Sequence, residues 1–160
     1  MRGKIKLKHG EDYYVKVLLG ETKIAEIMTP SPVSVQVDDS FAEVPRKFKE
    51  YNIRHLPVVD EKNKLVGLIS QRDLFSIATP RKAPDGNFFY DEDELEDIIL
   101  RHVMKKDPFF MHENDSLGDA LAQIVEHKFG CIPVVAADKT LRGILTQVDI
   151  LKVALQIYQE

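Results

Sequence analysis

The sequence predicts an α+β protein built from two tandem copies of one strand-helix-strand-strand-helix unit, packed against each other about a pseudo-twofold axis. Three observations carry this expectation. A shift of 76 residues lays the chain on itself without a gap: Met28 falls on Met104, Pro32 on Pro108, Asp39-Ser40 on Asp115-Ser116, and Pro57-Val58-Val59 on Pro133-Val134-Val135. Gly67, Gln71 and Asp73 fall in the same way on Gly143, Gln147 and Asp149. Within each copy the apolar period switches between two and helical spacing. Each copy, at about 50 residues, is also too small to cover both faces of its own sheet, so two must share a core.

The elements of the first copy follow in order. Val33-Ser34-Val35-Gln36-Val37 alternates as a half-buried strand does. Asp38-Asp39-Ser40 gives a turn and a helix cap, with Glu43 at the capping-box position. Phe41, Val44, Phe48 and Tyr51 then recur at helical spacing, and Pro45 is expected to remove one early helix hydrogen bond. Residues 56–59 form an apolar strand, 60–64 a polar turn and 65–69 a second strand. Ser70-Gln71-Arg72-Asp73 opens a second helix through Leu74, Phe75 and Ile77. The second copy repeats this order with strands at 109–111, 132–135 and 141–145, a helix at 116–128, and a longer final helix from 149 towards 158.

This places residues 22–80 in the first repeat and 100–160 in the second. Between them, 81–87 is a polar loop with Pro84 and Gly86, and the acidic run 91–97 starts an amphipathic helix through Leu95, Ile98, Ile99 and Val103. Residues 1–21 are an appendage. Its alternating Ile5-Lys6-Leu7 and Val15-Lys16-Val17 around His9-Gly10 permit a hairpin, while Tyr13 to Leu19 also fits a helix. Leu74, Ile77, Leu151, Ala154 and Leu155 predict exposed apolar helix faces, and hence a homodimer.

Composition narrows the function. The 160 residues are 44% hydrophobic, enough to bury a core, and 22 Lys+Arg against 26 Asp+Glu leave a net charge of -4, no global field for nucleic acid. A single Cys131 forms neither an internal disulfide nor a thiolate zinc site. With no apolar segment behind Met1-Arg2-Gly3 and no 18-residue uncharged apolar run, the expectation is a soluble protein of the reducing cytoplasm. The histidines at 9, 55, 102, 112 and 127 lack His-x-x-x-His spacing, and neither a Gly-x-Gly-x-x-Gly nor a Walker loop occurs. Asp91, Glu92, Asp93, Glu94, Glu96 and Asp97 read as a solvated helix start ahead of a Mg²⁺ site. No enzyme activity, metal or cofactor is expected. Arg2, Lys4, Lys6 and Lys8 keep a nucleic-acid-associated module open as an alternative.

The runs Ile27-Met28-Thr29-Pro30, Ile53-Arg54-His55-Leu56-Pro57-Val58-Val59-Asp60 and Leu65 to Leu74 resemble a CBS (cystathionine β-synthase-type) domain, and Val103-Met104, Gly130-Cys131-Ile132-Pro133-Val134-Val135 and Leu141 to Ile150 resemble a second. Together they are similar to the tandem pair called a Bateman module, over roughly residues 22 to 156. The resemblance implies a non-catalytic, stand-alone regulatory module that holds an adenosine-containing ligand between its repeats and signals to a partner, a target enzyme or transporter. AMP, ADP and ATP are the first choices, with S-adenosylmethionine or a cyclic dinucleotide behind them. A ligand-free dimerisation scaffold is the alternative.

The family's Ser/Thr-x-x-Asp ribose motif implies Ser70 with Asp73 and Thr146 with Asp149. Carboxylates accept well from paired hydroxyls, although Ser70 and Thr146 would also serve as plain helix caps. Related pairs cross the repeats. That implies one cleft of Thr146 and Asp149 with Thr29, Ile53, Arg54 and His55, and a second of Ser70 and Asp73 with Lys105, Phe129, Gly130 and Cys131. Arg54 and His55 align with phosphate-holding positions of AMP-activated protein kinase γ subunits, so the first cleft is the expected site of a phosphorylated ligand. Cys131 is expected as a small buried apolar residue.

Overall fold

The computed structural model describes residues 10–159, which form eight helices and ten short strands. The arm Ile5-Lys6-Leu7 and the basic residues Arg2, Lys4, Lys6 and Lys8 lie outside the described residues. The chain runs α1 (Glu11–Glu21), α2 (Ile24–Ile27), β1 (Thr29–Pro30), β2 (Val35–Gln36), α3 (Glu43–Tyr51), β3 (His55–Val59), β4 (Leu65–Ser70) and α4 (Gln71–Ile77). After a small hairpin, β5 (Arg81–Lys82) and β6 (Phe88–Phe89), come α5 (Glu92–Glu96), α6 (Leu100–Val103), β7 (Lys105–Lys106), β8 (Met111–His112), α7 (Leu117–His127), β9 (Cys131–Val135), β10 (Leu141–Thr146) and α8 (Gln147–Gln159).

Two four-stranded sheets form, ordered β2-β3-β4-β7 and β1-β10-β9-β8. Each repeat thus lends its leading strand to the other. Thr29 and Pro30 pair antiparallel with Ile144 and Gly143, while Lys105 and Lys106 pair with Leu68 and Gly67. The lending extends upstream: Ile24 N–H donates to Asp115 O at 2.9 Å and Leu100 N–H to Asp39 O at 3.1 Å. Ile24 is accordingly buried with Met111, Ala120 and Ile132 of the second repeat, and Leu100 with Phe41, Val44 and Phe48 of the first. The unit expected from the sequence, led by the strand at 33–37, does not include these exchanged strands. A repeat that keeps its leading segment would leave β4 or β10 as an open edge, and the exchange covers both edges.

The pseudo-twofold is legible atom by atom. Leu65 N–H donates to Lys139 O at 3.0 Å and Leu141 N–H to Asn63 O at 2.9 Å, a reciprocal pair around the Lys64–Thr140 bridge. Val59, Leu65, Val135 and Leu141 form a small core beside it. The described residues other than glycine with positive φ come as Ser31 and Asp107, Asn52 and Lys128, Asn63 and Lys139, each pair 76 residues apart. Gly67 and Gly143 are matched too: a Cβ at either would overlap the sulfur of Met104 or Met28.

Several local expectations are revised. Residues 15–17 lie in helix α1, which packs on α7 through Leu19 against Gly118, so no hairpin forms there. The Ser40–Glu43 capping box is not made: Ser40 Oγ donates to Leu95 O, and Glu43 turns to Arg46. Pro45 is third in α3, where no intrahelical bond is lost. The acidic helix stops at Glu96 and restarts at Leu100, because Ile98 and Ile99 bond instead to residues 39–41. Leu74 is buried in the first core and Ile77 packs against it, so the outward apolar residue of α4 is Phe75, 59% exposed.

Candidate functional site

Each sheet ends in a Ser/Thr-x-x-Asp turn that runs straight into a helix. Ser70 Oγ accepts from Asp73 N–H at 3.3 Å, and both Ser70 N–H and Oγ–H donate to Asp73 Oδ2 at 2.6 Å. Thr146 and Asp149 repeat the arrangement, with Thr146 N–H and Oγ1–H donating to Asp149 Oδ2 at 2.8 and 2.7 Å. The hydroxyl is therefore a cap, and it also holds the carboxylate through Oδ2. The two sites differ at the second oxygen, Oδ1. Asp149 Oδ1 accepts from Thr29 Oγ1 at 3.3 Å and sees Lys152 Nζ at 3.7 Å, and Asp149 is 5% exposed. Among the described residues none donates to Asp73 Oδ1.

Asp73 opens into a cleft of about 680 Å³ whose walls come from both repeats. The first supplies Arg54, His55, Ser70, Arg72 and Asp73, and the second Lys105, His127, Lys128, Phe129, Gly130 and Cys131. This regroups the sequence-derived clefts. Arg54 and His55 line the Ser70–Asp73 cleft because strand pairing sets His55 opposite Ser70, and Arg54 O accepts from Gln71 N–H at 2.9 Å. Thr29, Thr146 and Asp149 do meet one another, while Ile53 is half-buried against the first core.

Glycine at 130 is what admits His55. A Cβ there would lie 2.7 Å from His55 Nε2 and 3.0 Å from Cε1, closer than side chains pack. Burial holds the imidazole below its ordinary range; nearby Asp73 opposes this and Arg54 reinforces it. The Cys131 thiol is pushed up to about 12 by burial, against a small opposing pull from Lys105, so it is an inert buried group. At the mouth, Phe129 stacks on Phe109 and on His127 with centroids 5.3 and 5.2 Å apart, and Lys105 Nζ lies 5.6 Å from its centroid. Arg72, His127 and Lys128 are cleft residues that the sequence reading did not single out; the repeat offset could not have found them, since Val148, Tyr51 and Asn52 stand at the matching positions.

A larger groove, about 870 Å³, lies between α3, α4 and the β5–β6 hairpin, against Phe48, Phe75, Phe88 and Phe89. It contains neither ribose-type carboxylate and shares only Gln71 and Phe75 with the cleft. Among the described residues no three His, Cys, Asp or Glu side chains converge as metal ligands, and no helix is long and apolar enough to cross a membrane.

Comparison with known proteins agrees with this architecture. The chloroplastic CBS domain-containing protein CBSX2 of Arabidopsis thaliana is 31% identical over 163 residues, spanning 88% of this chain and 67% of that one. The crystal structure of CBSX2 in complex with AMP superposes with a TM-score of 0.70 at 28% identity, covering 85% of this chain and 98% of that one. AcuB from Vibrio cholerae matches equally, with a TM-score of 0.70 and 28% identity over 86% and 93% of the two chains. The CBS domain model matches residues 24–79 and 100–156, and with the repeat, the exchanged strands and the paired Ser/Thr-x-x-Asp turns in place, the chain belongs to the CBS domain family as a tandem pair.

Proposed function

We propose that this protein is a non-catalytic regulatory module that senses an adenine nucleotide in the Ser70–Asp73 cleft. The observation that carries the reading is the composition of the cleft walls: Asp73 with a free carboxylate oxygen on one repeat faces Lys105, Phe129 and Gly130 on the other. The carboxylate suits the ribose hydroxyls, and Arg54 and Lys105 suit phosphate. A ligand held this way touches both repeats, so it stabilises one relative arrangement of them over another, which is what a signal requires. The AMP complex of CBSX2 supports the ligand class. Thr146 and Asp149 suit ribose less well, because Thr29 and Lys152 already engage the second carboxylate oxygen and Asp149 is buried.

Assembly is one route by which occupancy of the cleft is read out. Phe75 on α4 and Leu151 and Leu155 on α8, each more than half exposed, suit a second copy of the chain. A single buried thiol suits a reducing compartment such as the cytoplasm.

Calorimetry with AMP, ADP and ATP tests the site. Asp73→Ala is expected to abolish binding and Asp149→Ala to leave it within about twofold, since removing an acceptor to two hydroxyls costs about 1.5–3 kcal/mol per charged hydrogen bond. The reverse outcome would return the nucleotide to the Thr146–Asp149 side, and absence of any binding would leave the scaffold reading.

A further inference from the structure

The Ser70–Asp73 cleft is far more cationic than one phosphate requires. Arg54 and Arg72 stand on its first wall and Lys105 and Lys128 on its second, and all four are exposed. Among the described residues none of the four forms an ion pair, although the chain carries 26 acidic residues and the described ion pairs engage Arg46, Lys64, Arg81, Arg101 and Lys152. Asp73 is the one carboxylate on the lining. Four permanent positive charges against one negative leave a local excess of three in a protein whose net charge is -4. Like charges held on opposite walls of one cleft repel, and the cost is relieved by a single anion that reaches both.

A phosphate monoester brings roughly 1.5–2 negative charges near neutral pH, which leaves that excess only partly answered, whereas two or three linked phosphates match it. The chain length of the anion matters as well. Arg72, on α4, and Lys128, the C-terminal cap of α7, stand on opposite walls, so one anion must be extended to reach both.

We infer that this cleft selects a nucleoside carrying at least two linked phosphates over the monophosphate, with Arg72 and Lys128 as the specificity-determining residues. The inference rests on the reading of the cleft as a nucleotide site. The monophosphate engages Asp73 through its ribose and Arg54 and Lys105 through its phosphate. The added phosphates engage Arg72 and Lys128, and so draw the two repeats together.

Calorimetry in magnesium-free buffer at one fixed salt concentration, with adenosine, AMP, ADP, ATP and inorganic tripolyphosphate, tests this. ADP and ATP are expected to bind at least tenfold more tightly than AMP. The double variant Arg72→Gln, Lys128→Gln, made at two exposed positions, is expected to shrink that ratio to within about threefold, because ADP and ATP lose more affinity than AMP does. AMP binding as tightly as ADP, or equal losses of AMP and ADP in the double variant, would overturn the inference while leaving the nucleotide site intact. Tripolyphosphate binding as tightly as ATP would instead discard the nucleoside reading and keep the polyphosphate cleft. Failure of every probe would discard both.

Discussion

His55 shows how much of the cleft rests on single side chains. Its half-buried ring lies against Gly130, and partial burial lowers its proton affinity relative to an unfolded histidine near 6.5. A group whose folded value is depressed binds fewer protons folded than unfolded just below that pH. It therefore costs nothing above about pH 6.5 and destabilises the fold as pH falls through that value towards the lower folded one. Melting temperatures between pH 7.5 and 5 are expected to fall more steeply for the wild type than for His55→Gln, which has no ring to charge. An equal or shallower slope for the wild type would count against this account. Ligand phosphate would reverse the sign, holding the proton on His55, so binding is expected to take up protons below neutral pH.

At the scale of elements, the exchanged leading segments decide which core each residue serves. Ile24 precedes β1 of the first repeat yet is fully buried in the core of the second. Ile24→Ala is expected to cost about 2–5 kcal/mol, as deletions of fully buried branched side chains do. Hydrogen exchange should then accelerate chiefly in α7, β9 and β10, and less in β3 and β4; acceleration confined to β3 and β4 would contradict the exchange. The repeat itself, the pairs Pro57-Val58-Val59 and Pro133-Val134-Val135, and the two helix caps at Ser70 and Ser116 were legible in the sequence because they depend on local period and capping chemistry. The exchange was not, since a two-residue strand such as Thr29–Pro30 has no period, and its partner is set by the sheet edge left open elsewhere. The same gap misplaced Arg54 and His55: pairing of β3 with β4 carries them to Ser70, a relation that sequence spacing does not encode.

For the whole molecule, the outward faces bear on assembly. Leu151 and Leu155 are 66% and 54% exposed on α8, and Phe75 occupies on α4 the position that matches Leu151 by the repeat. Apolar side chains displayed on an outward helix face are the kind of surface that closes by twofold association. Light scattering is expected to find a dimer for the wild type and a monomer for Leu151→Asp combined with Leu155→Asp, with the melting profile of the monomer still cooperative. A wild-type monomer at high concentration would refute the dimer.

The lending of leading segments also bears on how such a chain could arise. A lone repeat would possess a surplus strand and a vacant sheet edge at once, and two separate copies would satisfy each other by the same trade that the two halves make here. Gene duplication that joined such copies end to end would add only a tether between partners already interlocked. The stretch from Arg81 to Phe89, a two-stranded ribbon with exposed strands, has the character of that tether: it connects the halves without being asked to bring them together.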